Sequence, residues 1–531
     1  MPQNDDEQQA AAIGSNASAQ AGTDSASPLN DEFDKIVMAS LKEWNVPGVA
    51  IAIVDHDNVY SKGYGFASLP DVPATPDTLW YAGSATKTQT GATLAHLIDT
   101  KASPSLLNGW QTPISSILPD DFVVQNEWAT QHLTLEDAAC HRTGIGRHDM
   151  AILRDRDGKP ATLRDQVRNL RHFRFTNEPR VQCEYSNLPW LALSYVIEKL
   201  AGKPLGEVIK KTVWDPLGMK STYFDTDDAI AAPEHLSSGY AWDKDSERFN
   251  KLEQTTVREA SGAGAMITSV NDLAKWLKCL LSESEPFSKA VHADIQLPRA
   301  MYRPVPGMGK DIVTYGIGVT RTVYRGQVYF EHGGTTEGHS ADVIWLPGLK
   351  LGLVLMSNAA PTGNFMGATL ARKIIDDKLG IPTKDRIDMN AYYHKVYDQM
   401  SGLKSELAVL VGRAEPPLPL PIDIGNYAGT YHDAGYGKIV LKEEAAPDKP
   451  EERILVARRL DVWFQHRLEL HHVSGDWWVC FFRLLNNPGI SVALPVDFRI
   501  GVDGKVSAMN IDFKNDMVGL DDGPVLFRRI D

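Results

Sequence analysis

Hydrophobic periodicity changes once along this chain, and that change constrains the fold more than any other feature. Pro416, Pro417, Pro419 and Pro421 crowd into one short stretch. Proline fixes φ and removes a backbone donor, so the stretch reads as a stiff, extended linker. After it the apolar residues alternate with period two. Lys438–Glu443, Arg453–Arg458, Arg467–His472, Trp477–Leu484, Val496–Gly501 and Val506–Phe513 read as short strands, with a hairpin signal at Asp503-Gly504. Residues 421–531 are therefore expected to form a small antiparallel β-barrel or sheet domain. The whole chain has 531 residues, and a single core stops growing near about 250–300. Two folded parts are the natural outcome.

Before the linker, helical and strand patterns mix. Phe33, Ile36, Val37 and Leu41 recur at helical spacing, and Gly48–Val54 and Val59–Ala67 flank a turn as a β-hairpin. Ser84–Asp99 turns helical, and a mainly helical stretch runs on to about residue 280. It includes Leu188–Leu200 and Val270–Leu281, the latter with Asn271-Asp272 as the expected N-cap. Strand patterns return at 313–320, 326–331, 339–346 and 350–357, and helices follow at 361–379 and 389–410. The simplest fold is α+β: one antiparallel sheet built from both ends of the domain, flanked by helices, with a helical region inserted. The expected division is a disordered tail over 1–29, a domain over 30–380, a helix and Pro-rich linker over 381–420, and the β-domain.

Composition excludes several function classes. Lys+Arg 54 against Asp+Glu 68 gives a net charge of −14, which disfavours nucleic acid as a partner. Cys140, Cys183, Cys279 and Cys480 lie far apart, so neither a disulfide framework nor a thiolate zinc site is expected. The N-terminal stretch has no basic or apolar region of a signal peptide, and its Asn16-Ala17-Ser18 sequon reads as chance without secretion. No run of apolar residues reaches the roughly 18 needed for a membrane span. The expectation is a cytoplasmic protein without a membrane anchor.

The sharpest local motif is Ser84-Ala85-Thr86-Lys87, where a strand pattern gives way to a helix. Positions i and i+3 share a helix face, so the lysine can reach the serine hydroxyl. A serine is a weak nucleophile until a base takes its proton, and a lysine is that base only if burial or nearby positive charge lowers its pKa. A second copy, Ser401-Gly402-Leu403-Lys404, has no companions. Two companions attend the first copy: Tyr185-Ser186-Asn187 at the start of an apolar helix, and His332-Gly333-Gly334-Thr335 at a strand end. The bland alternatives are an asparagine N-cap and a Gly-rich loop with a satisfied histidine.

Together, in this order, the three motifs resemble the serine β-lactamase and penicillin-binding-protein superfamily. The second motif is that of the Tyr-x-Asn branch: class C β-lactamases, D-aminopeptidases, family S12 esterases and related acyltransferases. Leu133–Ile145 is similar to that family's "LLSHTSGL" segment, Ser261–Leu273 to its "AGGL.ST..DLA" segment and Trp214–Met219 to its "PLGM" turn. The likeness spans about residues 30–380 and implies a β-lactamase/transpeptidase-like domain. It departs at the third motif, where His332 replaces the family's substrate-holding lysine, which puts ordinary β-lactam hydrolysis in doubt.

The resemblance implies the following roles. Ser84 is the nucleophile, with Lys87 and Tyr185 as its base system. Asn187 holds the lysine and the substrate's polar edge. The Ser84 and Thr335 N–H groups form an oxyanion hole beside Gly334, and His332 lines the substrate pocket. It implies no metal and no cofactor, and a small-molecule or short-peptide substrate carrying an ester, amide or lactam. An acyltransferase would use the same residues, and a scaffold that lost its chemistry would share only the fold. The remaining candidates read as structural. His471 and His472 alternate within one strand, His141 and His148 match no metal spacing, and Trp463, Phe464, Trp477, Trp478, Phe481 and Phe482 read as barrel core. Gly338-His339-Ser340-Ala341-Asp342 fails the Gly-x-Ser-x-Gly pattern, which removes the α/β-hydrolase elbow.

Overall fold

The computed structural model describes residues 27–244, 246–336, 338–402, 416–447, 449–487, 491–515 and 520–531. Most of the N-terminal tail with its sequon, positions 403–410 of the expected helix and Leu403-Lys404 of the second Ser-x-x-Lys copy lie outside the described residues.

A nine-stranded antiparallel sheet forms the centre of the larger part. In chain order its strands are β1 (Gly48–Asp55), β2 (Asn58–Ser68), β3 (Val72–Pro73), β4 (Ala300–Arg303), β5 (Val313–Tyr315), β6 (Thr320–Tyr324), β7 (Gln327–Thr335), β8 (Ser340–Leu346) and β9 (Leu351–Ser357). Their spatial order is β4-β5-β6-β7-β8-β9-β1-β2-β3, so the first and last segments of the domain meet at the β9–β1 pair, with Ile51 opposite Leu355. The expected strand over 313–320 is interrupted: Gly316 N donates to Val319 O at 2.8 Å and turns the chain between β5 and β6.

The central strands are apolar on both faces because helices cover both. Val49, Ile51 and Ile53 pack with Phe33, Val37 and Leu41 of α1 (Asp31–Glu43) and with Leu370 and Ile374 of α5 (Thr362–Lys378). Ala50, Ala52 and Val54 face the inserted helical region, which includes α2 (Thr86–Asp99), α3 (Leu188–Ala201) and α4 (Val270–Ser282). Buried faces of this kind produce near-continuous apolar strands rather than alternation. The N-cap of α4 is Ser269, whose side chain accepts from Asp272 N at 3.2 Å, in place of the expected Asn271-Asp272. The helix α6 (Met389–Gly402) follows α5.

Beyond the prolines, eight antiparallel strands close into a barrel. They are Gly429–Asp433, Gly437–Ala445, Arg453–Arg459, His466–Ser474, Trp477–Leu484, Ser491–Ile500, Val506–Asn515 and Leu520–Arg529. Closure joins the first to the last, with Tyr431 opposite Arg529. Both closing strands escaped the periodicity reading, because one is short and the other carries Asp521, Asp522, Gly523 and Pro524. Closure removes the exposed edges of the sheet. Trp478 and Phe482 lie in the barrel core as expected, but Trp477 is half exposed. Trp463 and Phe464 are only partly buried against that core, because their loop leans on the larger part: Trp463 N donates to Ile152 O at 2.8 Å. Nearby, Arg154 N donates to Asp461 O at 2.8 Å and Asn169 Nδ2 to Gly435 O at 2.9 Å. Among the described residues no helix is long and apolar enough to cross a membrane.

Candidate active site

The serine sits where a short strand gives way to a helix. Trp80–Tyr81 pairs with Ile267–Thr268, a 3-10 turn follows at Gly83–Ala85, and α2 begins at Thr86. Thr86 anchors the turn twice: its hydroxyl donates to Gly83 O at 2.6 Å and accepts from Met266 N at 3.0 Å. The first half of α2 is buried all round, and its threonine hydroxyls are satisfied internally. Thr90 Oγ1 donates to Gly262 O at 2.9 Å. Lys87 is therefore fully buried, while Ser84 stays partly open.

Lys87 Nζ lies 3.0 Å from Ser84 Oγ, 2.8 Å from Asn187 Oδ1 and 2.6 Å from Ala263 O. Two of these partners are carbonyl oxygens, which only accept, so they hold two N–H donors. The third position faces Ser84 Oγ, and in a neutral amine it is the lone pair. Burial drives the lysine pKa well below its ordinary value; the Asp149 carboxylate pulls it back up and Arg147 pushes it further down. The Tyr185 hydroxyl donates to Ser84 Oγ at 2.7 Å, and burial raises its pKa. Ser84 Oγ thus lies between a buried amine and a phenol that keeps its proton.

Asn187 stands just before α3, yet its side chain makes no cap hydrogen bond. Its Nδ2 donates to both Asp149 oxygens, at 3.0 and 3.2 Å, which turns Oδ1 towards Lys87. Asp149 also accepts from Arg147 Nε at 2.6 Å, and Arg147 lines the cavity beside Tyr185. Neither Arg147 nor Asp149 was singled out in the sequence. They follow the Leu133–Ile145 segment directly, and the charged triplet Arg147-His148-Asp149 just after Gly144 and Gly146 was the available signal.

The third motif ends β7 against the serine turn. A Cβ on Gly334 would stand 1.9 Å from Ala82 O, and one on Gly83 would stand 2.8 Å from Thr335 N. Only glycines permit this approach, which brings the Ser84 and Thr335 amides to one mouth of the cavity. Asn364 ties the strand end to α5, accepting from Thr335 Oγ1 and donating to Gly334 O, each at 3.1 Å. His332 has both ring nitrogens engaged: Nδ1 donates to Gly333 O at 2.7 Å, and Nε2 accepts from Tyr315 Oη at 2.8 Å. Burial, followed by the charge on Lys87, lowers its pKa to about 3, so it is neutral. It lines the cavity, but only its carbon edge is left for a ligand.

His141 lies beneath the site. It is fully buried, its Nδ1 accepts from Ser186 N at 3.1 Å, and its ring centroid is 4.4 Å from that of Tyr185 and 4.5 Å from that of Tyr315. It packs against the rings of both tyrosines. Among the described residues no group of His, Cys, Asp and Glu has the arrangement of a metal site.

These groups open into one cavity of about 550 Å³, with Ser84, Tyr185 and Thr335 at one part and Glu331, Asp342 and Arg372 at another. Trp463 and Phe464 of the barrel form part of its wall, which corrects their reading as barrel core alone.

The family model described as Beta-lactamase matches residues 33–375. The chain belongs to this family. It is 34% identical over 491 residues to an unguisins hydrolase (ungD') of Aspergillus campestris, covering 92% of this chain and 90% of that protein. An octameric penicillin-binding protein homologue from Pyrococcus abyssi superposes with a TM-score of 0.59 at 20% identity, over 93% of this chain and 99% of that one. A class C beta-lactamase does so with a TM-score of 0.52 at 17% identity, over 65% and 95%. The fold is that of the serine β-lactamase and penicillin-binding-protein superfamily, followed by a closed eight-stranded barrel.

Proposed function

We propose that the protein is a serine hydrolase that acts through an acyl-Ser84 intermediate on an amide or ester of a small molecule or short peptide. The observation that carries this reading is the position of Ser84 Oγ, 2.7 Å from Tyr185 Oη and 3.0 Å from a buried Lys87. Neutral Lys87 takes the Oγ proton as Oγ bonds to the substrate's carbonyl carbon. The resulting oxyanion is held by the Ser84 and Thr335 N–H groups, each such donor being worth about 3 kcal/mol in the transition state. As the C–N or C–O bond breaks, the leaving group takes the Tyr185 proton, which the Lys87 ammonium replaces. Water then gives a proton to the same pair as it attacks the acyl carbon, and the acid leaves as the Ser84 Oγ–carbon bond breaks and that proton returns to Oγ. Asn187 keeps Lys87 aimed at Ser84, and His332 holds the β7 end in place.

The likeness to the unguisins hydrolase extends over 92% of the chain and so includes the barrel. We take unguisins as the first substrates to test. Purified protein should hydrolyse an unguisin, seen as the uptake of one water per bond cleaved, and Ser84→Ala should not. No conversion of unguisins, simple esters or amides, together with no fluorophosphonate label on Ser84, would reject the hydrolase reading in favour of a scaffold.

Acyl transfer uses the same residues, and the aromatic wall of Trp463 and Phe464 favours it to the extent that it excludes water. An added amine that captures the acyl group in preference to water would select this second reading.

A further inference from the structure

We infer that Asp342, in the same cavity as Ser84, forms a subsite for an ammonium group of the substrate. Asp342 is the cross-strand partner of Gly333, so its side chain stands over a residue that has none. Across the gap is Gly367 of α5, where a Cβ would come within 2.5 Å of Asp342 Oδ2. Two glycines thus leave a slot for this carboxylate, and the slot opens into the cavity. The next residue pair on the same face is Thr335 and Ser340, at the oxyanion end. Two residues along a strand span about 7 Å, so the Asp342–Gly333 pair adjoins the oxyanion end along the sheet.

Among the described residues no hydrogen bond or ion pair reaches the Asp342 carboxylate. None of the cations lining this part of the cavity pairs with it, although Arg372 Nη1 is buried without a hydrogen-bond partner. Lys310 Nζ is 2.5 Å from Glu331 Oε1, whose other oxygen accepts from Tyr329 Oη at 2.8 Å. Arg372 lies over the Tyr324 ring, 3.8 Å from its centroid. Phe365 and Tyr393, stacked at 4.9 Å, also line the cavity. An unmatched carboxylate beside aromatic rings is the chemistry that holds an ammonium ion. Burial, and then the neighbouring Glu331, raise the Asp342 pKa to about 7, as expected for a carboxylate awaiting a counter-ion.

This subsite rests on the acyl-Ser84 reading for its catalytic role, and the test separates the two. The probes are p-nitroanilides of α-, β- and γ-amino acids, each with a free and with an acetylated amine. At least one free amine should be preferred at least tenfold in kcat/KM over its acetylated form. Asp342→Asn should abolish that preference while leaving the acetylated substrate within about twofold, and Gly367→Ala, which crowds the carboxylate, should weaken it. No preference at any spacing, or an equal loss for both forms in Asp342→Asn, would overturn the subsite. Calorimetry on Ser84→Ala reads the subsite without turnover: tighter binding of the free amine, lost on adding Asp342→Asn, supports it, and equal binding of both forms overturns it. Amine-selective binding in Ser84→Ala with no turnover by the unmodified protein would reject only the hydrolase reading.

Discussion

Lys87 and Tyr185 both reach Ser84 Oγ, and in the proposed reaction the three form a proton circuit whose polarity comes from burial. Ser84→Ala should reduce turnover at least a thousandfold, as is typical of a nucleophile. Lys87→Arg keeps a charge that cannot be given up at working pH, and Tyr185→Phe removes only a hydroxyl. Each should cut kcat by about a hundredfold or more, with circular dichroism and Tm close to those of the parent. A near-normal rate in either would remove that residue from the circuit. Asp149 acts through others: it orients Asn187 and raises the Lys87 pKa against the effect of burial. Activity needs neutral Lys87, so it should rise with pH through the lysine's lowered pKa. Asp149→Asn removes a charge that holds this pKa up, so the acid limb of the kcat/KM profile should move to lower pH. A limb that stays in place would show that Asp149 does not act on Lys87.

At the scale of elements, the site depends on how closely the end of β7 approaches the serine turn. The Cβ of Gly334→Ala would meet Ala82 O at 1.9 Å, which must push the two backbones apart. The proposed oxyanion donors would separate with them. The expected outcome is at least a hundredfold loss of acylation, read as the rate of fluorophosphonate labelling, because one such donor is worth about 3 kcal/mol. Labelling at the parental rate would show that the spacing of β7 from the turn does not matter. Ser269→Ala removes the α4 cap far from the chemistry; it should cost about 1 kcal/mol of stability and leave kcat unchanged.

At the scale of the whole molecule, the barrel contributes wall rather than chemistry. Trp463→Ala and Phe464→Ala should shift the preference between small and bulky esters without lowering the rate on the smallest. Truncation after Pro421 should shift it further if the shortened protein stays soluble and monodisperse. An unchanged profile with only a lower Tm would leave the barrel a stabilising module. Stability should also depend on pH. His332, His339 and His466 are buried in separate places, and burial lowers each pKa to about 3. Each takes up a proton on unfolding below the ordinary value of 6.5 but not in the folded state. Their stabilisation is therefore complete above pH 6.5 and is lost as pH falls towards 3. Asp342, raised to about 7, works the other way over part of this range and offsets one of the three. Tm should fall steadily from pH 7 to pH 5, and a flat Tm would contradict the burial of these rings.

Much of this protein could be read without its structure, for a physical reason. Strand alternation, the proline break and the Ser84-x-x-Lys87 spacing are local, and local geometry follows from neighbouring residues. The antiparallel sheet made from both ends of the domain and the separate β-domain were legible in this way. The candidate set Ser84, Lys87, Tyr185, Asn187, His332, Gly334 and Thr335 came instead from the order of three motifs and the family they resemble; the fold brings these residues together, with Lys87 hydrogen-bonded to Ser84 and Asn187 of the cavity that the others line. The rest depends on contacts between distant segments. Asn187 was expected to hold Lys87, but that Asp149 turns its amide to do so is visible only in the fold. His332 was expected to line the pocket, but that Tyr315 and Gly333 O take both its nitrogens is visible only in the fold. The closing barrel strands lacked a pattern because pairing with their neighbours, not alternation, holds them. Trp463 and Phe464 read as core because an aromatic pair looks the same whether it fills a barrel or walls a cleft. Asp342 drew no notice at all, since a single carboxylate acquires meaning only when tertiary packing leaves it unmatched in the cavity that Ser84 also lines.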